Sequence, residues 1–238
     1  MMILILDAPL RSFSEVTLII AADVQDHLIL AGDHCAVMLR VSNQGAPEVV
    51  LKNYRKMYPW KYGIVAASGD VFVTVWFCRL FLHHESTSRP IDLLQVAREA
   101  KQIRTRNGVP CNQSTGNIFL TLPGREGFDL YCVSIEADTI DYEIIEPITT
   151  QFSFGKGALD DPAYNAFNSC LRPSFYFQSV DAFHSHHLAL LSAFFRRQSA
   201  IDELVTASFD AFMLDKRTGI GAFWQISETS KQIAYIDL

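Results

Sequence analysis

Two short apolar runs near the start of the chain constrain its fold most strongly. The first run covers residues 17–22 and the second covers residues 27–31, with a polar stretch at residues 23–26 between them. Both runs are rich in strand-forming residues, and neither alternates with polar residues. Apolar runs of this length on either side of a short polar connection predict a β-hairpin whose strands are both well buried.

The rest of the chain divides into further strand-like and helix-like segments. Helices are predicted at residues 70–83, 90–106, 162–171, 181–197 and 200–214. Further strands are predicted at residues 35–41, 49–58, 62–67, 118–122, 128–135, 141–146, 149–154, 221–226 and 232–238. Sheets in the middle of this order, with helices outside them, predict a layered α/β or α+β domain.

Composition excludes several classes of protein. The chain has 238 residues, of which 49% are hydrophobic and 19% are charged, so it can bury a large core and is not a disordered protein. A net charge of −6 argues against nucleic acid as a partner. Five cysteines without a CxxC pair argue against a disulfide framework or a structural zinc site. We therefore expect a cytoplasmic protein with no metal, no cofactor and no membrane partner.

Four short motifs follow one another along the chain. The second apolar run leads to the carboxylate Asp33, and the basic residue Lys56 enters a later apolar strand. Small residues around Gly69 lead from a strand into a helix, and the segment 215–219 reads Asp-Lys-Arg-Thr-Gly. Each motif alone is a weak signal, because a carboxylate after a strand is usually a turn residue or a helix cap.

In this order and spacing the motifs resemble those of the proteasome-type branch of the N-terminal-nucleophile hydrolases, the β-type proteasome subunits and their bacterial relatives. The resemblance begins at Thr17 and covers nearly the whole chain. It implies an α+β fold, a four-layer αββα sandwich in which two antiparallel sheets pack face to face with helices outside. It also implies that residues 1–16 are an N-terminal extension or propeptide and that residues 17–238 form a single domain.

The resemblance implies a threonine nucleophile at the start of a processed chain. Thr17 would be the nucleophile, and its own free α-amino group would be the base that takes the hydroxyl proton. Lys56 would lower the pKa of that hydroxyl, and Asp33 would hold Lys56 by an ion pair. The backbone N–H of Gly69 would stabilise the oxyanion.

The resemblance also implies further site residues and partners. Asp215 and Thr218 would orient the terminal amine. Copies of the chain would associate into a homo-oligomeric ring or double ring, with a peptide or an unfolded protein as substrate and an ATP-dependent unfoldase among the candidate partners. The apolar helix at residues 70–83 suits a subunit interface as well as a core.

Two functions stay open, because some residues depart from the pattern. Val16 stands where self-cleaving precursors favour Gly, and Lys156 replaces a hydroxyl that would lie beside the terminal amine. A hairpin two residues longer would place Glu15, not Thr17, in the nucleophile position. The first hypothesis is a threonine-type peptidase inside an oligomeric ring, and the alternative is a non-catalytic ring-forming scaffold or binding protein.

Three histidines form a separate cluster at residues 184, 186 and 187. His184 and His187 are three residues apart and share a face if the segment is helical. Because no acid with metal-ligand spacing accompanies them, we expect His184, His186 and His187 to lie on a solvated helix face.

Overall fold

The computed structural model describes residues 18–38, 48–51, 53–86, 91–153, 162–227 and 234–237. The predictions that concern residues 1–17, Thr17 among them, and Lys156 lie outside these residues. Within the described residues, the helices are all too short or too polar to cross a lipid bilayer.

The described residues form thirteen strands and four α-helices. The strands are β1 (Ile19–Asp23), β2 (His27–Asp33), β3 (Ala36–Met38), β4 (Glu48–Leu51), β5 (Met57–Trp60), β6 (Gly63–Gly69), β7 (Gly116–Pro123), β8 (Phe128–Ile135), β9 (Ile140–Ile144), β10 (Thr149–Ser153), β11 (Phe209–Asp215), β12 (Gly221–Ile226) and β13 (Ala234–Asp237). The helices are α1 (Val71–Ser86), α2 (Leu93–Arg106), α3 (Pro162–Cys170) and α4 (Val180–Ile201).

The strands assemble into two main antiparallel sheets. Sheet 1 has the order β10-β1-β2-β11-β12-β13, and sheet 2 has the order β5-β6-β7-β8-β9. Strands β3 and β4 form a separate antiparallel pair. The predicted hairpin is confirmed: β1 and β2 are antiparallel neighbours with Ile19 opposite Gly32, and every residue of both strands is buried.

Three apolar layers hold the molecule together. Helices α3 and α4 pack on the outer face of sheet 1, where Phe195 of α4 stacks on Phe209 of β11 with ring centroids 4.5 Å apart. Residues such as Leu30 and Met57 fill the space between the sheets. Helices α1 and α2 cover the outer face of sheet 2, around Phe77. The layers follow the order αββα, so the predicted α+β sandwich is confirmed.

One predicted helix is a strand. Residues 200–214 were expected to be helical, but β11 occupies Phe209–Asp215 in the middle of sheet 1, between β2 and β12. Met213 lies in the layer against the helices, whereas Phe212 and Leu214 lie in the layer between the sheets. A strand buried on both faces has no polar alternation, so its apolar residues also fit a helical stripe.

Two predicted boundaries also differ from the structure. The helix expected at residues 90–106 begins at Leu93, because the side chain of Asp92 accepts a hydrogen bond from the Gln95 amide at 3.0 Å and caps it. The single strand expected at residues 49–58 is divided into β4 and β5. Lys56 therefore lies in the connection just before β5.

A glycine shapes the junction between β6 and α1. Gly69 has a φ of +99°, a region that L side chains rarely adopt. A Cβ at this position would lie 2.4 Å from the Gly116 Cα and 2.6 Å from the Thr115 carbonyl oxygen. Both neighbours are backbone atoms, so they cannot move aside without disturbing β7.

Replacing Gly69 should therefore destabilise the fold by strain and by collision together. We expect Gly69→Ala to lower the free energy of unfolding by about 3–5 kcal/mol in urea titrations. Gly108→Ala is the matched control, since Gly108 has a φ of +85° but open space around a Cβ. Strain alone should cost this variant about 1 kcal/mol, and equal losses in the two variants would contradict the described packing at Gly69.

Candidate functional site

The carboxylate of Asp33 organises one end of sheet 1. Asp33 is the last residue of β2, and its side chain is fully buried. Its oxygens accept hydrogen bonds from the backbone amides of Leu18 at 3.0 Å, Cys35 at 2.9 Å and Thr206 at 3.3 Å. These amides belong to the start of β1, the connection after β2 and the connection between α4 and β11, so one side chain ties three segments together.

Lys56 reaches the same carboxylate from sheet 2. Its Nζ lies 2.5 Å from the Asp33 Oδ1, and Lys56 is 3% exposed. Burial lowers the pKa of Lys56, and the Asp33 carboxylate opposes that shift because it stabilises the ammonium. The structure thus brings together the two residues that the sequence motifs paired.

The ammonium of Lys56 also lies near the start of β1. The Lys56 Nζ and the Leu18 amide nitrogen both bond the same Asp33 oxygen, Oδ1. The distance between these two nitrogen atoms therefore cannot exceed the sum of the two hydrogen-bond lengths, 3.0 Å and 2.5 Å. Leu18 follows Thr17 in the sequence.

One row of the register crosses sheet 1 beside this pair. It contains Ser153 of β10, Ile19 of β1, Gly32 of β2 and Asp210 of β11. A Cβ on Gly32 would lie 3.7 Å from the Lys56 Cβ, so this row faces sheet 2. The Ser153 Oγ lies 2.5 Å from the Ser68 Oγ of sheet 2, and both serines are buried.

A buried histidine–carboxylate pair lies at the same end of the sheet. The Nε2 of His34 is 3.0 Å from the Asp210 Oδ1, and the exposed fractions are 6% for His34 and 1% for Asp210. Among the described residues neither carboxylate oxygen of Asp210 has an aligned hydrogen-bond donor. The His34 Nε2 is the polar side-chain atom that lies against this buried carboxylate.

Thr206 links the two carboxylate sites. Its hydroxyl accepts a hydrogen bond from the His34 amide at 2.8 Å and donates one to the Ser208 carbonyl oxygen at 2.9 Å. Its amide donates to Asp33. Sequence analysis missed Thr206 and Asp210, because both lie in the segment that it assigned to a helix. A strand beginning at Phe209 would have placed Thr206 in a connection near Asp33.

Gly69 lies at the same end of the sandwich. The Ala67 amide donates a hydrogen bond to the Lys56 carbonyl oxygen at 3.1 Å, two residues before Gly69. The next residue, Asp70, forms a buried ion pair with Arg104 of α2, with Oδ2 and Nε 2.8 Å apart. These contacts hold the junction between β6 and α1 next to Lys56.

Asp215 and Thr218 do not join this site. Asp215 lies opposite His27 of β2, whereas the residue opposite Asp33 is Phe209. Phe209 and Asp215 are six residues apart on β11, which corresponds to about 20 Å at the rise of a β-strand. Its Oδ1 accepts a hydrogen bond from the Thr218 amide at 2.9 Å and closes the turn between β11 and β12. Both residues therefore lie at the opposite end of sheet 1 from Asp33.

The histidine cluster also lies at that opposite end. His187 is fully buried in α4, with its Nδ1 2.9 Å from the Phe183 carbonyl oxygen, and burial lowers the pKa of His187 to about 4. His184 and His186 are partly exposed. The expected solvated face is thus wrong for His187. In the part of the chain that the structure describes, no group of three or more potential ligands could hold a metal ion.

Comparison with known proteins identifies the architecture. No family model and no curated protein matches the chain. Among solved structures, an Anbu (Gly-1) mutant from Hyphomicrobium sp. strain MC1 matches with a TM-score of 0.61 and 15% identity, over 90% of this chain and 89% of that chain. Anbu (ancestral beta-subunit) from Yersinia bercovieri matches over the same shares, with a TM-score of 0.60 and 13% identity. The chain has the fold of Anbu.

The Anbu match corrects the assignment made from the sequence motifs. That assignment was to the β-type proteasome subunits and their bacterial relatives, but no family model supports it. The two solved structures named above are Anbu proteins, one of them described as an ancestral beta-subunit, and they share only 13–15% of residues with this chain. Similarity at this level shows the fold alone, so the chemistry of the chain has to be argued from its own residues.

Removing either member of the buried Lys56–Asp33 pair should destabilise the fold by different amounts. Lys56→Met leaves the Asp33 carboxylate with its three backbone donors, and we expect the free energy of unfolding to fall by about 3 kcal/mol. Asp33→Ala leaves those amides without their acceptor as well, so we expect a loss of about 5 kcal/mol or more. Urea unfolding followed by circular dichroism measures both losses.

A second lysine–aspartate pair supplies the control. Lys216 lies 2.5 Å from Asp23 at the opposite end of sheet 1, and its side chain is 19% exposed. Water can replace part of that contact, so Lys216→Met should cost about 1 kcal/mol. Equal losses for Asp33→Ala and Lys56→Met would show that Asp33 does not hold the backbone segments as described.

Proposed function

We propose that the chain is a threonine-type peptidase subunit of an oligomeric ring, which becomes active when Thr17 is the N-terminal residue. In this proposal residues 1–16 are a leader that is removed, and residues 17–238 form the single catalytic domain. One observation carries the proposal: the ammonium of Lys56 and the amide of Leu18 share one oxygen of Asp33. This contact puts a fixed positive charge beside the residue that follows Thr17.

A buried cation at this position suits the activation of a hydroxyl. Water does not screen Lys56 at 3% exposure, so its charge acts strongly on nearby groups. A cation stabilises the alkoxide and lowers the pKa of the Thr17 hydroxyl. Because Asp33 stabilises the charged form, Lys56 serves as a fixed cation, and the free α-amino group of Thr17 serves as the base.

The reaction then proceeds by acyl transfer. The Thr17 Oγ forms a bond to the scissile carbonyl carbon while the α-amino group takes the hydroxyl proton. The C–N bond of the peptide breaks, and the leaving amine receives that proton. Water then adds to the ester on Thr17, which releases the peptide acid and restores the hydroxyl. The amide of Gly69 is our candidate donor to the oxyanion, since its junction lies beside Lys56.

The same proposal includes self-association and a protein substrate. A chain with the Anbu fold is a candidate for ring assembly, and α1 presents an apolar surface that includes Leu82, which is 42% exposed. A peptide is the smallest substrate expected. Unfolded protein, supplied by an ATP-dependent unfoldase, is the larger substrate class expected for a ring that encloses its active sites.

A second candidate is a ring-forming scaffold or binding protein without catalysis. The position of Asp215 and Thr218 favours it, because the two residues expected to orient the terminal amine lie at the opposite end of sheet 1. Such a protein would retain residues 1–16 and would need the Asp33–Lys56 pair only for stability.

Supplying Thr17 as the first residue tests the proposal directly. A fusion cleaved immediately before Thr17 yields the shortened chain, and we expect it to hydrolyse fluorogenic peptides. Thr17→Ala should abolish this hydrolysis. Lys56→Met should lower kcat/KM by about 100-fold or more, as expected for loss of an electrostatic group.

Lys216→Met is the matched control, since it alters a lysine–aspartate pair at the opposite end of sheet 1, and it should leave hydrolysis unchanged. A second readout is the intact mass of the uncut chain, which detects any product that has lost residues 1–16. A product that begins at Thr17 in the natural chain, but not in Thr17→Ala, would support self-processing. A folded chain that begins at Thr17 and hydrolyses no peptide would overturn the peptidase and leave the scaffold.

A further inference from the structure

One buried histidine fastens the connection between α3 and α4, residues 171–179, to helix α4. His187 of α4 is fully buried, and its ring contacts two phenylalanines. The ring centroids of His187 and Phe183 are 4.3 Å apart, and those of His187 and Phe177 are 5.8 Å apart. Phe177 belongs to the connection, so this ring contact joins the connection to the helix.

Both ring nitrogens of His187 have backbone partners, and the two partners have opposite roles. The Nδ1 lies 2.9 Å from the Phe183 carbonyl oxygen, which can only accept a hydrogen bond, so Nδ1 carries a proton. The Nε2 accepts a hydrogen bond from the Arg172 amide at 3.4 Å, so Nε2 carries none. The arrangement therefore requires a neutral imidazole in one defined tautomer.

A second proton on His187 does not fit this arrangement. It would lie on Nε2 and face the N–H of Arg172, so two donors would meet where a hydrogen bond now holds the connection. The Arg172 guanidinium, which donates to the Ser169 and Leu171 carbonyl oxygens, places another positive charge on the same segment. Burial accordingly lowers the pKa of His187 to about 4, although the Phe183 carbonyl oxygen opposes this shift.

Three further histidines oppose the same proton. The ring centroid of His186 is 4.9 Å from that of His187, and His184 lies on the same helix. His27 of β2 contacts Phe183, with ring centroids 4.4 Å apart. Positive charge on each of these three histidines lowers the pKa of His187 further.

Two carboxylates on this side of α4 act on the neighbouring histidines. An oxygen of Asp26 lies 3.3 Å from the His27 Nδ1. Burial lowers the pKa of His184, and Asp181 opposes that shift. The charges that act on His187 itself are those of histidines, so its surroundings become more positive as the pH falls.

The connection that His187 holds carries a pair of exposed aromatic side chains. Phe175 and Tyr176 are each 66% exposed, and their ring centroids are 4.9 Å apart. Phe177, two residues from Phe175, packs against the fully buried Phe183 with ring centroids 5.7 Å apart. Release of the connection would therefore expose Phe183 next to an aromatic pair that already faces solvent.

We propose that His187 is an acid-sensitive latch, whose neutral ring holds residues 171–179 on α4 and whose protonation releases them. Below the pH of release, the protein presents a larger apolar surface at the end of sheet 1 opposite Asp33. The latch uses no residue of the Asp33–Lys56 site, so it does not depend on the proposed peptidase activity.

The pH range of release follows from linkage. When the connection is open, the His187 ring has an ordinary pKa of about 6.5, and when it is closed the pKa is about 4. The contribution of this ring to closure is fully present above pH 6.5 and is lost as the pH falls from 6.5 to 4. The equilibrium constant for opening should therefore be about 30-fold larger at pH 5 than at pH 7.5.

Hydrogen exchange with peptide mass spectrometry tests the latch on the full chain carrying Thr17→Ala. Rates are divided by the intrinsic exchange rates at the same pH, which gives protection factors that can be compared between pH 7.5 and pH 5. We expect the protection of residues 171–179 to fall about 30-fold. Helix α2 contains no histidine and is the internal reference, so its protection should stay constant.

Two variants identify the group that responds to pH. The side chain of His187→Gln does not titrate, so protection of residues 171–179 should change less than threefold between the two pH values. His186→Gln removes a partly exposed neighbour and should keep at least a tenfold fall. The full fall in His187→Gln would assign the pH dependence to another group and overturn the latch.

A second measurement decides the matter if His187→Gln does not fold. The ring C–H signals of His187 are followed by NMR in the chain that retains this histidine, over the same pH range as the exchange measurements. We expect protonation of His187 and loss of protection at residues 171–179 to occur together between pH 6.5 and pH 4. Protonation without release, or release without protonation, would contradict the proposal.

Discussion

The buried carboxylate of Asp33 is the interaction on which this end of the molecule depends. Asp33 is fully buried, and burying a carboxylate lowers the stability of the fold unless donors form hydrogen bonds to its oxygens. Here the donors are the amides of Leu18, Cys35 and Thr206 and the ammonium of Lys56. They come from both sheets and from the connection after α4. The hairpin, the two-sheet packing and the end of the helix layer must therefore all be in place before this charge is satisfied.

The sequence predicted the parts of this arrangement that depend on neighbouring residues. Two apolar runs with a short polar connection specify the β1–β2 hairpin, and the hairpin places Asp33 at the end of β2. The order of the predicted elements indicated a layered α/β or α+β domain, and the family resemblance implied the αββα layers and the pairing of Lys56 with Asp33. Residues 209–215 were misassigned, because a strand buried on both faces carries no alternation of polar and apolar residues. That error hid Asp210 and Thr206.

The displaced residues show why motif spacing alone misled. Asp215 and Thr218 have the expected spacing, but they close a turn at the opposite end of sheet 1. The amide of Thr206 bonds Asp33 although the two residues are 173 positions apart in the sequence, so no local sequence pattern could predict this contact. The solved Anbu structures share the fold at 13–15% identity. The case for catalysis therefore depends on the geometry around Asp33 and Lys56.

The central claim is that Lys56, held by Asp33, activates a hydroxyl on Thr17. Its most direct test is to treat the chain that begins at Thr17 with a peptide β-lactone and to locate the acyl group by peptide mass spectrometry. The account predicts one acyl group on Thr17, formed at least tenfold more slowly in Lys56→Met than in Lys216→Met. Acylation elsewhere, or at Thr17 at equal rates in the two lysine variants, would contradict it.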